Sequence, residues 1–291
     1  MPRDVIIHAR TPLRLMRGFE RSLRQLGVTV KRRGYEYMDT ADEIHLIWSL
    51  TYRIAEYKAL RSLPNVWQLE NGWFQRQKYG FQLDPQGLHG DSHLCGKALR
   101  WPVDYPAVEQ MRAWYGDHPH GNEYVLFIGQ MANDAQIRDF SRFGTMRPLV
   151  EELADGIGSE LIVIRPHPRD KTTDYRDIPG TTVNRAGSFG AVVSKASAVI
   201  GVNSTALIEA LFYFKPVVAL GKGVFSGNQA LVEWSGSRLP NLIDVIRKPI
   251  PTLGKDRFLS LLLDMIVPYK ITPRKCETHP LVSQVVAQAL R

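Results

Sequence analysis

The chain opens on a short apolar run, "DVIIHA" (Asp4–Ala9), and then changes period. In "PLRLMRGFERSLRQLG" the apolar residues Leu13, Met16, Phe19, Leu23 and Leu26 recur at helical spacing, and Gly27 closes the segment. The pattern predicts a strand followed by a helix. "VTVKRR" and "EIHLIWS" (Glu43–Ser49) read as the second and third strands, "TYRIAEYKALRSL" as a helix, and "NVWQLENG" as a fourth strand running into a glycine turn. Strands separated by helical segments imply a parallel sheet with crossover helices.

Between about Asp84 and Glu123 the periodicity lapses. "DPQGLHGDSH", "WPVDYP" and "GDHPHGNE" are rich in Gly, His, Asp and Pro, which predicts long loops and a linker. "YVLFIGQ" (Tyr124–Gln130) restarts the alternation. A helix is expected near Met146–Asp155, then strands in "ELIVIRPHP" and "GTTVNRA", then a helix and strand in "FGAVVSKASAVIGV". "STALIEALFYF" reads as a helix, "PVVALG" as the last clear strand, and "RFLSLLLDMIV" and "PLVSQVVAQALR" as C-terminal helices. The expected organisation is an α/β unit over residues 1–115, a second over 116–265, and a helical segment over 266–291. No internal repeat of fixed period is present.

Bulk composition narrows the class. Hydrophobic content of 44% and charged content of 23% are those of a globular protein. No apolar run approaches the roughly 20 residues that span a bilayer. The start, "MPRDVIIHARTPLR", has no long apolar core and does not read as a secretory signal. Cys95 and Cys276 are too few and too far apart for a disulfide framework or a metal knuckle. A cytoplasmic location is expected. Net charge is +8. That excess is either surface arginine alone or a sign of an anionic partner: nucleotide, phosphorylated lipid, membrane surface or nucleic acid. There is no Lys/Arg tail and no recognisable DNA-reading motif.

In parallel α/β sheets ligands bind beyond the carboxyl ends of the strands, and the polar residues there are the candidates. In "VIGVNSTALIEAL", Asn203, Ser204 and Thr205 follow a strand and begin a helix. A hydroxyl there caps the helix, and free backbone N–H groups with the helix dipole suit a phosphate. Glu209, one turn on, is placed to accept ribose hydroxyls; capping and a solvated carboxylate would explain the same residues. In "KPVVALGKG", Gly221 and Gly223 permit close backbone approach. In "RPHP", Arg165 offers a bidentate fork and His167 a donor or acid, both in a turn restricted by two prolines. In "GQMANDAQIRD", Gln130 and Asp134 follow a strand, and the carboxylate is a nucleophile, a general base or an ordinary helix cap. Glu70, with Asn71 and Gly72, closes the fourth strand. His89, Asp91, Ser92 and His93 sit in a Gly-rich loop whose spacing is no standard zinc site.

Taken in order, these pieces resemble the capsule polysaccharide biosynthesis proteins, a family that includes Kdo transferases. The likeness runs from about Val66 to Gln229: "LENGWF…GFQLDPQGLHGDS", "GQMANDAQI", "RPHP" and "VNSTALIEALFYFKPVVALGKGVF". Two positions depart from the family pattern, Gly223 and Phe225, where members often carry Ala and Tyr. The resemblance implies a GT-B-like α/β fold, two Rossmann-like domains facing a cleft, with C-terminal helices. It implies a glycosyltransferase that uses a nucleotide-sugar donor, CMP- or UDP-linked and foremost CMP-Kdo, and requires no metal or cofactor. Asp134 becomes the candidate catalytic carboxylate, with His167 and Glu70 beside it. A retaining reaction there needs a covalent glycosyl-enzyme intermediate. Donor binding falls to Gln130, Arg165, His167, Asn203, Ser204, Thr205, Glu209, Gly221 and Lys222. The acceptor side falls to Asn71, Gly72, His89, Asp91 and Ser92. The expected acceptor is a surface glycan or glycolipid, handled at the inner face of the membrane by peripheral association without a membrane span. The alternatives are a phage-type enzyme glycosylating modified DNA bases, a non-catalytic nucleotide-sugar-binding scaffold, and an epimerase of the same fold.

Overall fold

The structure, a computed structural model, describes residues 2–8, 16–34, 42–48, 63–74, 80–96, 102–116, 118–131, 133–157, 161–171, 173, 175–234, 252–268 and 270–291. The helix expected in "TYRIAEYKALRSL" and the start of the first helix lie outside them. By its contacts the chain divides into two compact units, Met1–His93 with Leu261–Arg291, and Leu94–Ser260. The sequence reading placed those divisions at 115/116 and 265/266.

The first unit is built on a six-stranded sheet in the order β12-β5-β4-β3-β1-β2. Its strands are β1 (Asp4–His8), β2 (Val30–Arg33), β3 (Glu43–Trp48), β4 (Val66–Asn71), β5 (Gly80–Asp84) and β12 (Ile266–Pro268). β1 to β4 are mutually parallel, as the strand–helix alternation predicts. β5 runs back antiparallel to β4, and β12 is antiparallel to β5. Neither of these two strands stood out in the sequence. β5 is a five-residue run, and β12 is three residues long and directly follows a long helix.

Register sorts the side chains of this sheet onto two unlike faces. Val5, Ile7, Ile44, Leu46, Trp48, Trp67, Leu69, Phe81 and Leu83 share one face, by alternation and by their cross-strand partners. Helix α1 (Arg17–Gln25) packs on that face through Phe19, whose ring lies 5.2 Å from Phe81. The C-terminal helices α8 (Pro273–Thr278) and α9 (Pro280–Leu290) belong to this unit. Gln288 accepts from the Trp67 indole at 3.0 Å, and the Ala289 carbonyl accepts from Arg3 N–H at 2.7 Å. The other face carries His8, His45, Gln68, Glu70, Gln82 and Asp84, all buried. Such residues alternate with apolar ones as in a solvated strand, yet burial demands partners for them. His8 and His45 meet at 2.9 Å through Nε2 and Nδ1, and His8 Nδ1 reaches the Gly34 carbonyl at 2.9 Å. Gln68 is fully buried, and its amide makes no hydrogen bond among the described residues.

The second unit carries a wholly parallel sheet, β11-β10-β9-β6-β7-β8. Its strands are β6 (Tyr124–Ile128), β7 (Ile162–Arg165), β8 (Thr181–Val183), β9 (Ala196–Gly201), β10 (Val217–Ala219) and β11 (Val232–Glu233). Counted from β6, this is the 3-2-1-4-5-6 order of a dinucleotide-binding sheet, and the order reverses between β6 and β9. β6 is buried at all five positions, the continuous apolar run expected of a central parallel strand. Met146, Leu149, Val150, Leu153 and Ile157, spaced at helical intervals along α4 (Met146–Ile157), complete the core with Phe127, Ile164 and Ile200, and the short helix α5 (Phe189–Val193) leads into β9.

The expected linker holds a helix, α2 (Tyr105–Tyr115). Asp104 caps it by accepting from Ala107 N–H at 3.0 Å, Pro106 lies in its first turn, and Gly116 ends it at φ +76°. Tyr115 stacks on Phe212 with ring centres 4.9 Å apart. Pro and Gly here mark the ends of an element, which a reading of composition took for its absence. Helix α7 (Thr252–Asp264) spans the division between the units.

Candidate active site

Every polar residue singled out in the second unit lies at the carboxyl edge of its sheet. Hydrogen bonds join two of them, Gln130 and Asn203, across the point where strand order reverses. Gln130 follows β6 and Asn203 follows β9. They form a reciprocal pair: Gln130 Nε2 donates to Asn203 Oδ1, and Asn203 N–H donates to Gln130 Oε1, both at 3.0 Å. Asn203 Nδ2 spans further, donating to the Gln136 carbonyl at 2.9 Å and the Lys222 carbonyl at 3.0 Å. Gln130 and Asn203 are both 2% exposed. The donor-binding role expected of Asn203 is therefore indirect here: its amide is used up in bracing three loops that carry other candidates.

Asp134 follows the same strand and caps helix α3 (Ala135–Phe140), its Oδ1 accepting from Gln136 N–H at 2.9 Å. Capping and chemistry are compatible, because the second carboxylate oxygen is not needed by the helix. Ser204 caps α6 (Thr205–Ala210), taking the Ala206 N–H at 3.2 Å. Thr205 and Glu209 are half-buried on α6. A short 3-10 turn extends this helix through Tyr213, whose hydroxyl pKa is pushed up to about 12 by burial and, secondarily, by the Glu209 charge.

The turn after β7 places its two cationic candidates differently. Arg165 donates to the carbonyls of Asn184, Ala186 and Gly187. Its guanidinium holds the loop after β8 through these carbonyls. His167 Nδ1 accepts from Arg169 N–H at 3.2 Å, which puts the proton of the neutral ring on Nε2. His167 thus has the donor tautomer that a phosphate oxygen requires. Gly129 lets this turn come close: a Cβ there would stand 3.2 Å from Pro166 Cα and 3.0 Å from the Tyr175 hydroxyl.

At Gly221 protein packs close on the side a Cβ would occupy, while the residue also lines an open pocket. A Cβ would meet Val202 Cγ1 at 2.8 Å and the Phe140 carbonyl at 3.2 Å. The same carbonyl accepts from Lys222 N–H at 2.9 Å. Lys222 is exposed, and its ammonium has no partner among the described residues. Beside it opens a pocket of about 670 Å³, lined by Phe140, Arg142, Gly221, Lys222, Ser226 and Trp234 among others. Trp234 presents a ring, and its indole N–H is buried without a hydrogen-bond partner among the described residues. Nothing in the local sequence around Trp234 pointed to this pocket.

In the first unit Glu70 and Asn71 end β4, and Glu70 Oε1 accepts from both the backbone and the side chain of Asn71, at 2.8 and 3.0 Å. Gly72 N–H continues the ladder to the Gly80 carbonyl at 3.0 Å. His89, Asp91 and Ser92 do not join them. Antiparallel β5 carries the chain back, so their loop springs from Asp84, opposite Gln68, toward the other edge of the sheet. The residue that organises this loop is Asp84, which sequence reasoning passed over. It accepts from Gln86 and Gly87 N–H at 2.8 and 3.0 Å, from the Ser92 hydroxyl at 2.6 Å, and lies 3.0 Å from His93 Nδ1. The "DPQG" tetrapeptide was its available signal, since Asp before such a turn commonly accepts from the N–H groups two and three residues on.

Two α/β units, the second with dinucleotide-binding strand order, and helices at the C-terminus define a GT-B-like fold. Residues 105–230 match the family described as capsule polysaccharide biosynthesis protein, so the resemblance read from the motifs holds across that segment. Among solved structures, the Thermosulfurimonas dismutans KpsC β-Kdo 2,7 transferase is similar, at 20% identity and a TM-score of 0.64, over 87% of this chain and 88% of that one. The KpsC β-Kdo 2,4 transferase of the same organism is 18% identical with a TM-score of 0.61, over 88% of this chain and 90% of that one. At these identities the likeness is one of fold. No curated protein matches the sequence. None of the described helices is long and apolar enough to cross a membrane.

Proposed function

We propose that the chain is a GT-B-type glycosyltransferase that moves a sugar from a nucleotide-sugar donor, CMP-Kdo first, to a surface-glycan or glycolipid acceptor. The observation that carries this reading is that Asp134, His167, Ser204, Glu209 and Lys222 all lie in segments that follow the carboxyl ends of strands in a sheet with dinucleotide-binding order. Those segments lie inside the stretch that matches the capsule polysaccharide family, and the names of the similar KpsC structures favour Kdo as the sugar. Cleavage of a glycosyl phosphate leaves growing negative charge on the phosphate. Donors held in place there stabilise the transition state more than the ground state. His167 Nε2–H and the Lys222 ammonium supply them, and Glu209 takes the ribose hydroxyls. The braces formed by Asn203 and Arg165 hold the loops still. Asp134 acts as the carboxylate at the anomeric carbon: it attacks as the nucleotide leaves, and the acceptor hydroxyl then displaces it.

The capping role of Asp134 dictates the test. Asp134→Ala removes both cap and charge, whereas Asp134→Asn keeps an oxygen that can cap α3. The purified protein is given CMP-Kdo and a glycolipid acceptor, and product is followed by mass spectrometry; CMP binding is followed by thermal unfolding. Asp134→Asn is expected to lose turnover and keep the rise in Tm with CMP. Retained turnover removes Asp134 from the role. A rise with UDP and none with CMP changes the donor, and no rise with any nucleotide overturns the reading.

A further inference from the structure

Four arginines of the first unit gather in one place. α1 buries Phe19 and Leu23 and turns Arg17, Arg21 and Arg24 outward, spaced i, i+4, i+7 on one face. β2, the edge strand beside it, contributes Arg32. With Glu20 and Gln25 these four arginines line a pocket of about 450 Å³. Among the described residues Glu20 is the single carboxylate in the lining, and it is already engaged. Arg32 grips its two oxygens at 3.0 and 2.8 Å, and Arg24 Nη1 lies 3.7 Å from Oε2. Arg24 Nη2 also donates to the Val30 carbonyl at 3.0 Å. Glu20 therefore serves as an anchor that fixes two guanidiniums. Arg17 and Arg21 are exposed and have no acidic partner among the described residues. Four guanidiniums against one carboxylate leave the pocket with three net positive charges.

Like charges one helical turn apart disfavour the helix by a few tenths of a kcal/mol per pair, unless an anion lies between them. A guanidinium fork matches two phosphate oxygens, and a concave site shields the contact from bulk water. We propose that the pocket formed by Arg17, Arg21, Arg24 and Arg32 binds the phosphoryl group of a phosphate-bearing ligand, distinct from the nucleotide edge of the second unit. The ligand's chemistry is a phosphate or diphosphate, whether free in solution or on a lipid headgroup.

The test uses the full chain and inorganic pyrophosphate, titrated by calorimetry at low salt. Arg17→Gln/Arg21→Gln should weaken binding by about tenfold or more, since both unpaired forks are lost. Arg274→Gln/Arg291→Gln removes the same charge from exposed positions, one on α8 and one just past the end of α9, and should change it less than about twofold, because solvent screens distant charges. Arg17→Lys/Arg21→Lys keeps the charge, loses the fork, and should fall between them. Cosedimentation with phosphatidylglycerol–phosphatidylcholine vesicles separates the sources. Dependence on Arg17 and Arg21 there identifies a lipid headgroup, and dependence with pyrophosphate alone identifies a soluble phosphate. Equal losses in the two glutamine variants, or no binding of either probe by the unaltered protein, overturn the proposal. Capture of duplex DNA through Arg17 and Arg21 without either probe binding would overturn it too, in favour of a nucleic-acid face.

Discussion

Asn203 is the residue whose removal should cost most for its size. Truncation to alanine leaves Gln130 Nε2 and the carbonyls of Gln136 and Lys222 without their partner, in a region where Asn203 itself is 2% exposed. Each buried group stranded in this way costs about 1–3 kcal/mol. Water entering beside Lys222 offsets part of this, so a net loss of about 3–5 kcal/mol is expected for the three. In a protein of this size that corresponds to a fall in Tm of about 5–8 °C. The assay is urea unfolding followed by tryptophan fluorescence, with Gln130→Leu and the double variant completing a cycle. Gln130→Leu keeps the volume but strands Asn203 Oδ1 and N–H. The coupling energy should therefore reach about 1–3 kcal/mol, the double variant being less damaged than the sum of the singles. A loss under about 1 kcal/mol in Asn203→Ala, or strict additivity, would refute the brace.

Two further outcomes follow from buried polar groups in the first unit. His279 caps α9, its Nδ1 accepting from Val282 N–H, and burial holds its pKa below the usual histidine value. A depressed folded pKa means that the stabilisation is present above about pH 6.5 and is lost as pH falls toward the folded value. His279→Asn keeps a capping oxygen and should flatten the stability profile between pH 7 and 5, and an unchanged slope in urea midpoints across that range would count against the assignment. Gln68 is buried with an amide unsatisfied among the described residues, so Gln68→Leu should leave the urea midpoint unchanged or raise it by about 1 kcal/mol equivalent. A marked loss would mean that the amide holds a bound water or ligand.

Local pattern carried most of the second unit. The continuous apolar runs of β6 and β9 read as buried strands, and Asp134 and Ser204 could be read as helix caps because capping is a matter of two or three neighbouring residues. The motif order also pointed to the family that matches residues 105–230. What the local pattern left open depends on partners far away in the chain. β5 is antiparallel because its pairing with β4 and β12 is decided by packing at the sheet edge, and that single reversal separates His89–Ser92 from Glu70–Gly72. Arg165 looks identical in sequence whether its fork faces a phosphate or three carbonyls; only the return of the chain at Asn184–Gly187 decides. Gln130 and Asn203 are 73 residues apart and meet because strand order reverses between β6 and β9. Alternation along a strand states which residues share a face, but not what will cover that face. Gln68 and Asp84 sit on the polar face of their sheet, and only the tertiary structure shows that face to be buried.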